Sequence, residues 1–169
     1  NDELYGDEGD DVIYGGFGND VVAGHEGDDD LYGNQGRDWM YGGLDNDYME
    51  GGVDGDFMYG GWGHDEMYGG DGWDFMEGNQ GCDFMSGGAD TDYMFGNAND
   101  DVMFGDGGTD YMSGGTGDDW MVGGVGYDVM NGDENNDVLL GGKHDDKLYG
   151  DSGIDRLYGE VGDDELYGG

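Results

Sequence analysis

The chain has 169 residues, of which 43 are glycine and none is proline, and Asp and Glu outnumber Lys and Arg by 43 to 4. A net charge of −39 makes nucleic acid and anionic membranes poor partners, and it would keep an ordinary chain of this length disordered. Hydrophobic residues nevertheless make up 34% of the sequence, including 13 Tyr, 6 Phe and 4 Trp, which is too many for an acidic disordered tail. The two facts are compatible if folding depends on a cation.

A nine-residue unit repeats without insertion or deletion from Gly6 to Tyr167. Position one is glycine and position six is aspartate at every occurrence. Position two is Gly, Asn or Asp except at His25 and Glu160, and position four is one of the same types except at His144. These residue types tolerate a positive φ, so positions one to six predict a tight turn that is repeatedly left-handed.

Positions seven to nine are rich in aromatic, branched and other apolar residues, which predicts a short strand. Position eight is apolar in every unit and predicts a continuous core row. Because each unit supplies one strand and one reversal, two units close one coil. The sequence therefore predicts an all-β fold, namely a two-sheet β-solenoid with two nonapeptides per coil and a methionine-rich core. We expect residues 1–169 to form a single repeat domain, either an excerpt of a longer chain or a module that stacks end to end.

Two units match a known repeat at every fixed position: Gly15–Ala23 reads Gly-Gly-Phe-Gly-Asn-Asp-Val-Val-Ala, and Gly114–Val122 reads Gly-Gly-Thr-Gly-Asp-Asp-Trp-Met-Val. With these residues the chain resembles the RTX proteins, the hemolysin-type calcium-binding family, whose repeat is Gly-Gly-x-Gly-x-Asp-x-U-x. The resemblance implies a parallel β-roll with calcium held in the turns between adjacent coils. It also implies an extracellular bacterial protein, secreted or on the cell surface, that is exported by type I secretion.

The aspartates at position six have the chemistry that calcium needs, because calcium takes roughly six to eight oxygens from carboxylates and backbone carbonyls. One turn cannot encircle the ion, but two turns eighteen residues apart can. The pairs run from Asp2 with Asp20 to Asp146 with Asp164, which makes up to about 17 sites, and 17 dications would bring 34 positive charges against the net charge of −39. If these aspartates served only as turn formers, some Asn or Ser should occur at position six, and none does. The predicted calcium ligands are Asp2, Asp11, Asp20, Asp29, Asp38, Asp47, Asp56, Asp65, Asp74, Asp83, Asp92, Asp101, Asp110, Asp119, Asp128, Asp137, Asp146, Asp155 and Asp164.

All eleven methionines stand at position eight of consecutive units, from Met40 to Met130. The family resemblance would place Leu, Ile or Val there. One interpretation is that unbranched thioether side chains fill a thin, irregular core. The other is a line of ligands for a soft metal such as Cu(I). Packing is favoured, because the histidines and Cys82, which a soft site usually adds, fall in the turns.

Aromatic residues at positions seven and nine should form an outward row on one sheet, and the row on the opposite sheet should be interrupted by Glu66. Stacking of neighbouring rings is one interpretation of these residues. A contact surface for another copy of the chain or for a neighbouring domain is the other. The candidate interface residues are Trp39, Tyr41, Phe57, Tyr59, Phe75, Tyr93, Phe95 and Tyr111.

The sequence does not indicate an enzyme, since His25, His64 and His144 lie in separate turns with no recurring Ser or Cys partner. It contains no apolar run long enough to span a membrane. The function that fits best is a calcium-dependent folding and spacer module of a secreted or cell-surface protein. The alternative is a structural element that assembles through the aromatic face. Ice binding is a minor alternative, because it calls for a regular outward row, usually of threonine, and the threonines are scattered.

Overall fold

The computed structural model describes residues 1–169, which form nineteen β-strands and no helix. No helix is therefore long and apolar enough to cross a membrane. The strands are β1 (Glu3–Glu8), β2 (Val12–Phe17), β3 (Val21–Glu26), β4 (Asp30–Gln35), β5 (Trp39–Leu44), β6 (Tyr48–Val53), β7 (Phe57–Trp62), β8 (Glu66–Asp71), β9 (Phe75–Gln80), β10 (Phe84–Ala89), β11 (Tyr93–Ala98), β12 (Val102–Gly108), β13 (Tyr111–Thr116), β14 (Trp120–Gly126), β15 (Val129–Glu134), β16 (Val138–Lys143), β17 (Lys147–Tyr149), β18 (Arg156–Val161) and β19 (Glu165–Tyr167).

The strands form two parallel sheets that face each other. Sheet 1 contains the ten odd-numbered strands and sheet 2 the nine even-numbered strands, each in sequence order. Neighbouring strands pair at an offset of eighteen residues, so Met58 lies opposite Met76 in sheet 1 and Met67 lies opposite Met85 in sheet 2. The predicted all-β parallel β-roll, with two nonapeptides per coil, is confirmed.

The strands are longer than the sequence predicts, and the turns are correspondingly shorter. Most strands cover six residues, from position seven of one unit to position three of the next. Glycines at position two continue the register, as Gly52 does opposite Gly70, so the ladder runs on through residues expected in the turn. The left-handed backbone is present at position two in every unit, with φ of 87° at His25 and 70° at Glu160. The reversal itself takes only positions four to six.

Position eight points between the sheets, where its side chains form one continuous cluster. Leu4, Ile13 and Leu157, in the outer coils, are only partly buried against it. The cluster therefore has its full depth only where a coil has neighbours on both sides. Its fifteen buried members are Val22, Leu31, Met40, Met49, Met58, Met67, Met76, Met85, Met94, Met103, Met112, Met121, Met130, Leu139 and Leu148.

The eight candidate interface residues lie on the outer face of sheet 1, where they stack on one another. The ring centroids are 4.5 Å apart for Trp39 and Phe57 and 5.0 Å apart for Tyr93 and Tyr111. Trp39, Tyr41 and Tyr111 are about two-fifths exposed, and the other five are half-buried. Neighbouring rings therefore cover much of the apolar surface of this row.

Glu66 interrupts the position-seven row of sheet 2 as predicted, because it lies between Tyr48 and Phe84 in the ladder, but ring contacts continue past it through position nine. Tyr68 bridges the gap, with its ring centroid 5.6 Å from Tyr48 on one side and 5.6 Å from Phe84 on the other. The Tyr68 hydroxyl donates a 2.5 Å hydrogen bond to the Glu66 carboxylate. The charge at position seven is tolerated because the residue at position nine of the same strand carries both the ring and a donor for it.

Candidate metal centres in the turns

The predicted aspartates form two columns, one along each edge of the roll. Those from Asp20 to Asp146 are at most 2% exposed, whereas Asp11, Asp155 and Asp164 are partly buried and Asp2 is exposed. The first edge, after the odd-numbered strands, carries Asp11, Asp29, Asp47, Asp65, Asp83, Asp101, Asp119, Asp137 and Asp155. The second edge, after the even-numbered strands, carries Asp20, Asp38, Asp56, Asp74, Asp92, Asp110, Asp128, Asp146 and Asp164, with Asp2 at its start.

From Asp20 onward, one oxygen of each carboxylate binds the coil before it. Asp56 Oδ1 accepts a 2.8 Å hydrogen bond from the backbone N–H of Asp38, and the N–H of Asp56 donates in turn to Asp74 Oδ1 at 2.8 Å. The same bond recurs at every pair from Asp2 with Asp20 to Asp146 with Asp164. The structure thus brings together the pairs eighteen residues apart that the sequence analysis singled out.

The second oxygen, Oδ2, of the seventeen carboxylates from Asp11 to Asp155 is buried without any hydrogen-bond partner. Buried polar atoms are nearly always paired, and a buried charge without a partner is far more costly than a neutral group. A stack of such atoms along each edge must therefore be neutralised, either by protons or by a bound cation. The unpaired atoms are the Oδ2 atoms of Asp11, Asp20, Asp29, Asp38, Asp47, Asp56, Asp65, Asp74, Asp83, Asp92, Asp101, Asp110, Asp119, Asp128, Asp137, Asp146 and Asp155.

Each unpaired oxygen lies against the glycine at position one of its own unit. A Cβ on Gly51 would lie 2.5 Å from Asp56 Oδ2 and 2.8 Å from the carbonyl oxygen of Gly69, and Gly33 repeats this arrangement. The carboxylate oxygen and a carbonyl oxygen of the next coil thus converge on the space that a side chain would fill. Position one has no positive φ in any unit, so close approach, rather than the left-handed backbone, requires glycine there.

Backbone carbonyls supply further oxygen atoms in each turn. No carbonyl at position five accepts a backbone hydrogen bond. No group of three or more acidic, His or Cys side chains converges anywhere in the chain, so an ion here would take most of its ligands from carbonyls and only one or two from carboxylates. Calcium accepts such a mixture of oxygens in flexible geometry, and these residues therefore fit calcium.

Position five carries a second hydrogen-bond ladder that the sequence analysis missed. On the first edge, Asp28 Oδ1 accepts from the N–H of Asn46, Asn46 Oδ1 from that of His64, and His64 Nδ1 from that of Cys82, each at 2.9 Å. These bonds hold adjacent turns in register and give His64 a structural role. The recurrence of Asp or Asn at position five every eighteen residues was the signal that could have revealed the ladder.

Burial makes the aspartates of the central coils hard to ionise. It raises the pKa of Asp56, Asp92 and Asp101 to about 8, and that of Asp47 and Asp65 to about 7. Neighbouring carboxylates add to the increase in pKa, and the hydrogen bond from the preceding coil opposes it. Without a cation, these side chains would therefore hold protons near neutral pH. A cation bound at Oδ2 would replace those protons.

Comparison with protein-family models gives a match to the RTX calcium-binding nonapeptide repeat over the whole chain. The matched segments overlap and cover residues 1–31, 23–58, 32–67, 50–85, 68–103, 77–112, 113–143 and 140–169. No curated protein matches the sequence.

Proposed function

The chain belongs to the RTX calcium-binding nonapeptide repeat family, and we propose that it is a calcium-dependent folding and spacer module. At low calcium the acidic chain is disordered. At the calcium concentrations outside cells it closes into a rigid roll. Extracellular calcium modules bind the ion with dissociation constants of roughly 10⁻⁴ to 10⁻³ M, which suits such a switch.

The observation that carries this proposal is the balance between buried carboxylates and buried apolar side chains. The hydrophobic cluster has fifteen buried members, and fifteen aspartates are buried beside it. Burying that many carboxylates opposes folding unless they are protonated or paired with cations. The thin core gives little to offset this cost near neutral pH. The fold therefore depends on whatever neutralises the Oδ2 columns.

The residues that would hold calcium are the position-six aspartates with the turn carbonyls of the same and the next coil. The bound ion supplies positive charge and oxygen coordination between the two turns. Glycine at position one keeps the space beside each Oδ2 open, and the Oδ1 hydrogen bond fixes the carboxylate orientation. Because consecutive ions share a column, binding at one pair of turns favours closure of the next.

The family match supports a proposal for the cellular setting of this module. RTX repeats typically occur in secreted bacterial proteins, and this repeat family is structural and calcium-binding rather than enzymatic. The histidines fit that role: His64 caps a backbone N–H, and the rings of His25 and His144 stack on Tyr5 and Tyr127. We accordingly place the module in a secreted or cell-surface protein.

Stacking within the roll is enough to explain the aromatic row on sheet 1. Each ring stacks on rings of adjacent coils, so the row stabilises the coil-to-coil contacts that calcium brings together. Assembly through this face stays a prediction. Light scattering in calcium tests it, because self-pairing would at least double the molecular mass.

A calcium titration followed by far-ultraviolet circular dichroism tests the proposed function. We expect a cooperative change from coil to β-structure near millimolar calcium, and chelator should reverse it. Magnesium is the matched control, because it demands near-octahedral geometry and dehydrates reluctantly. If magnesium at equal concentration folds the chain as well, charge neutralisation rather than coordination drives folding. A β-spectrum that ignores chelator would contradict the proposal.

A further inference from the structure

The methionines of the cluster share one property that aliphatic side chains at the same position lack. All eleven, from Met40 to Met130, are at most 2% exposed, and six come from sheet 1 and five from sheet 2. In the units that flank the methionines, the same position carries Val22, Leu31 or Leu139 and is buried equally well. Leucine and methionine replace each other in cores at small cost, so packing alone does not require the thioether.

We propose that these methionines are oxidation sites whose accessibility is controlled by calcium: peroxide oxidises them only in the open chain, and the oxidised chain can no longer close. The inference rests on the proposed function, since calcium must open and close the roll. It identifies a modification that would lock the module in its disordered state.

The reaction involves one oxygen atom and two electrons per methionine. The thioether sulfur attacks one oxygen of hydrogen peroxide, the O–O bond breaks, and a sulfur–oxygen bond forms. The product is methionine sulfoxide, and the second oxygen leaves as water with both protons. Sulfur is oxidised by two electrons and peroxide is reduced by two, so no further reactant is needed.

The closed roll protects the sulfur atoms by geometry. Both sheets cover the row, and ten of the eleven methionines have no exposed surface. The main surface clefts lie over the turns and the outer sheet faces, and none is lined by a methionine. Peroxide can therefore reach these sulfur atoms only after the coils separate.

The same geometry prevents an oxidised chain from closing. A sulfoxide oxygen is a hydrogen-bond acceptor, and burying it without a donor is costly. The cluster contains only apolar side chains, and every unpaired buried side-chain atom in the chain is a carboxylate oxygen, which is also an acceptor. In the calcium-bound roll, where these carboxylates are ionised, no side-chain donor in the cluster is therefore available to pair with the new oxygen atoms. Sulfoxides in adjacent coils would also lie next to one another within each sheet, as Met58 does beside Met76.

The test uses the Cys82→Ser chain, because the exposed Cys82 thiol would react with peroxide as well. The chain is treated with hydrogen peroxide in calcium and in chelator, and sulfoxide at each methionine is followed by peptide mass spectrometry. We expect oxidation to be at least about tenfold slower in calcium. After the peroxide is removed, the chain oxidised in chelator should show no calcium-induced β-signal.

The matched control replaces all eleven methionines by leucine in the same background. This variant should fold in calcium both before and after peroxide treatment. If the full replacement does not fold, the variant with leucine at the six sheet 1 positions serves instead, and after the same peroxide treatment in chelator it should keep more of its calcium-induced β-signal than the chain with all eleven methionines. Those six positions are Met40, Met58, Met76, Met94, Met112 and Met130.

The outcomes separate this inference from the proposed function. An unoxidised chain that does not respond to calcium contradicts both. If it does respond, equal oxidation rates in calcium and in chelator overturn the inference alone. A fully oxidised chain that still folds in calcium overturns it too.

Discussion

The central coils, from Val22 to Leu148, and the outer coils at either end are built from the same nine-residue unit but bury it to different degrees. In the centre, Asp56 and Asp92 have no exposed surface, whereas Asp11 near one end is only partly buried. The unit that contains Asp11 has acceptable residue types at every fixed position. A candidate calcium site is therefore a property of several stacked coils rather than of a single repeat.

The outer surface changes along the roll in the same way. Position seven is aromatic through much of the centre and charged near both ends. At the C-terminal end, Lys147 and Glu165 form a half-exposed ion pair at 3.5 Å. Such exposed pairs contribute little to stability. The centre thus combines the deepest core, the stacked rings and the most buried carboxylates. The predictions that follow test whether this combination governs the stability and calcium binding of the roll.

The largest expected effect is that of pH on the calcium-free chain. The folded-state pKa values of the central aspartates are raised to about 6 to 8 above an unfolded value of 3.8, as at Asp74, Asp110 and Asp56. The folded chain therefore binds more protons, and this stabilisation is present below pH 3.8 and is lost as pH rises through about 6 to 8. We expect β-structure at pH 4 in chelator that disappears by pH 8, followed by circular dichroism. A calcium-free fold that gains stability on raising the pH would contradict this account.

Truncation of a core side chain should have the next largest effect, and it should cost more stability in the centre than in the outer coils. Met85→Ala removes a fully buried side chain from the centre and should cost about 2–5 kcal/mol in the calcium-bound state. Leu4→Ala, at the same position of an outer unit, should cost clearly less because Leu4 is only partly buried. Chemical denaturation in saturating calcium measures both. Equal losses would show that the outer coils are as well packed as the centre.

Replacement of one aspartate ligand should weaken calcium binding without disturbing the packing of the core. Asp74→Asn keeps the Oδ1 acceptor but replaces the unpaired Oδ2 by an amide, and should weaken the calcium-bound fold by about 1.5–3 kcal/mol. The same variant should stabilise the calcium-free fold at pH 8, because it removes a buried charge. Asp2→Asn, at the exposed end of the column, is the control and should change both stabilities much less, because its Oδ2 is not among the buried unpaired atoms. An Asp74→Asn chain that loses stability equally with and without calcium would contradict a ligand role.

The smallest expected effect comes from filling the space beside one Oδ2. Gly51→Ala places a methyl group against Asp56 Oδ2 and the Gly69 carbonyl, and should cost about 1–3 kcal/mol in calcium. Gly168→Ala is the matched control, because it stands at the same repeat position with nothing within 4 Å and should change stability by less than about 0.5 kcal/mol. Calcium titrations of both variants should show a higher midpoint only for Gly51→Ala. Equal midpoints would mean that this space is not part of a site.

Much of the fold could be predicted from the sequence because the period leaves little freedom. Glycine at position one, aspartate at position six and an apolar residue at position eight define the coil, its two sheets and the eighteen-residue register. The strand length was underestimated, because the propensities of glycine do not reveal that Gly52 and Gly70 pair across the ladder. The contacts of Tyr68 past Glu66 also depend on two side chains of one strand, at positions seven and nine. They are not visible when each repeat position is considered by itself.

For the candidate site, the sequence identified the aspartates and their pairing but not how the two carboxylate oxygens divide their roles. That Oδ1 binds the preceding coil while Oδ2 stays unpaired follows from the turn geometry. The need for glycine at position one has the same origin, since it depends on where Asp56 Oδ2 lies and not on φ at Gly51.

The measurement that tests the central claim most directly is a crystal structure grown in calcium, with ions located by anomalous scattering. The account predicts two columns of peaks, one along each edge, each between turns eighteen residues apart and in contact with an Oδ2 atom that is unpaired here. The peaks should be strongest between Asp38 and Asp128 and weaker toward Asp2 and Asp164. Folded coils without ions at Oδ2, or ions confined to the outer faces, would contradict it.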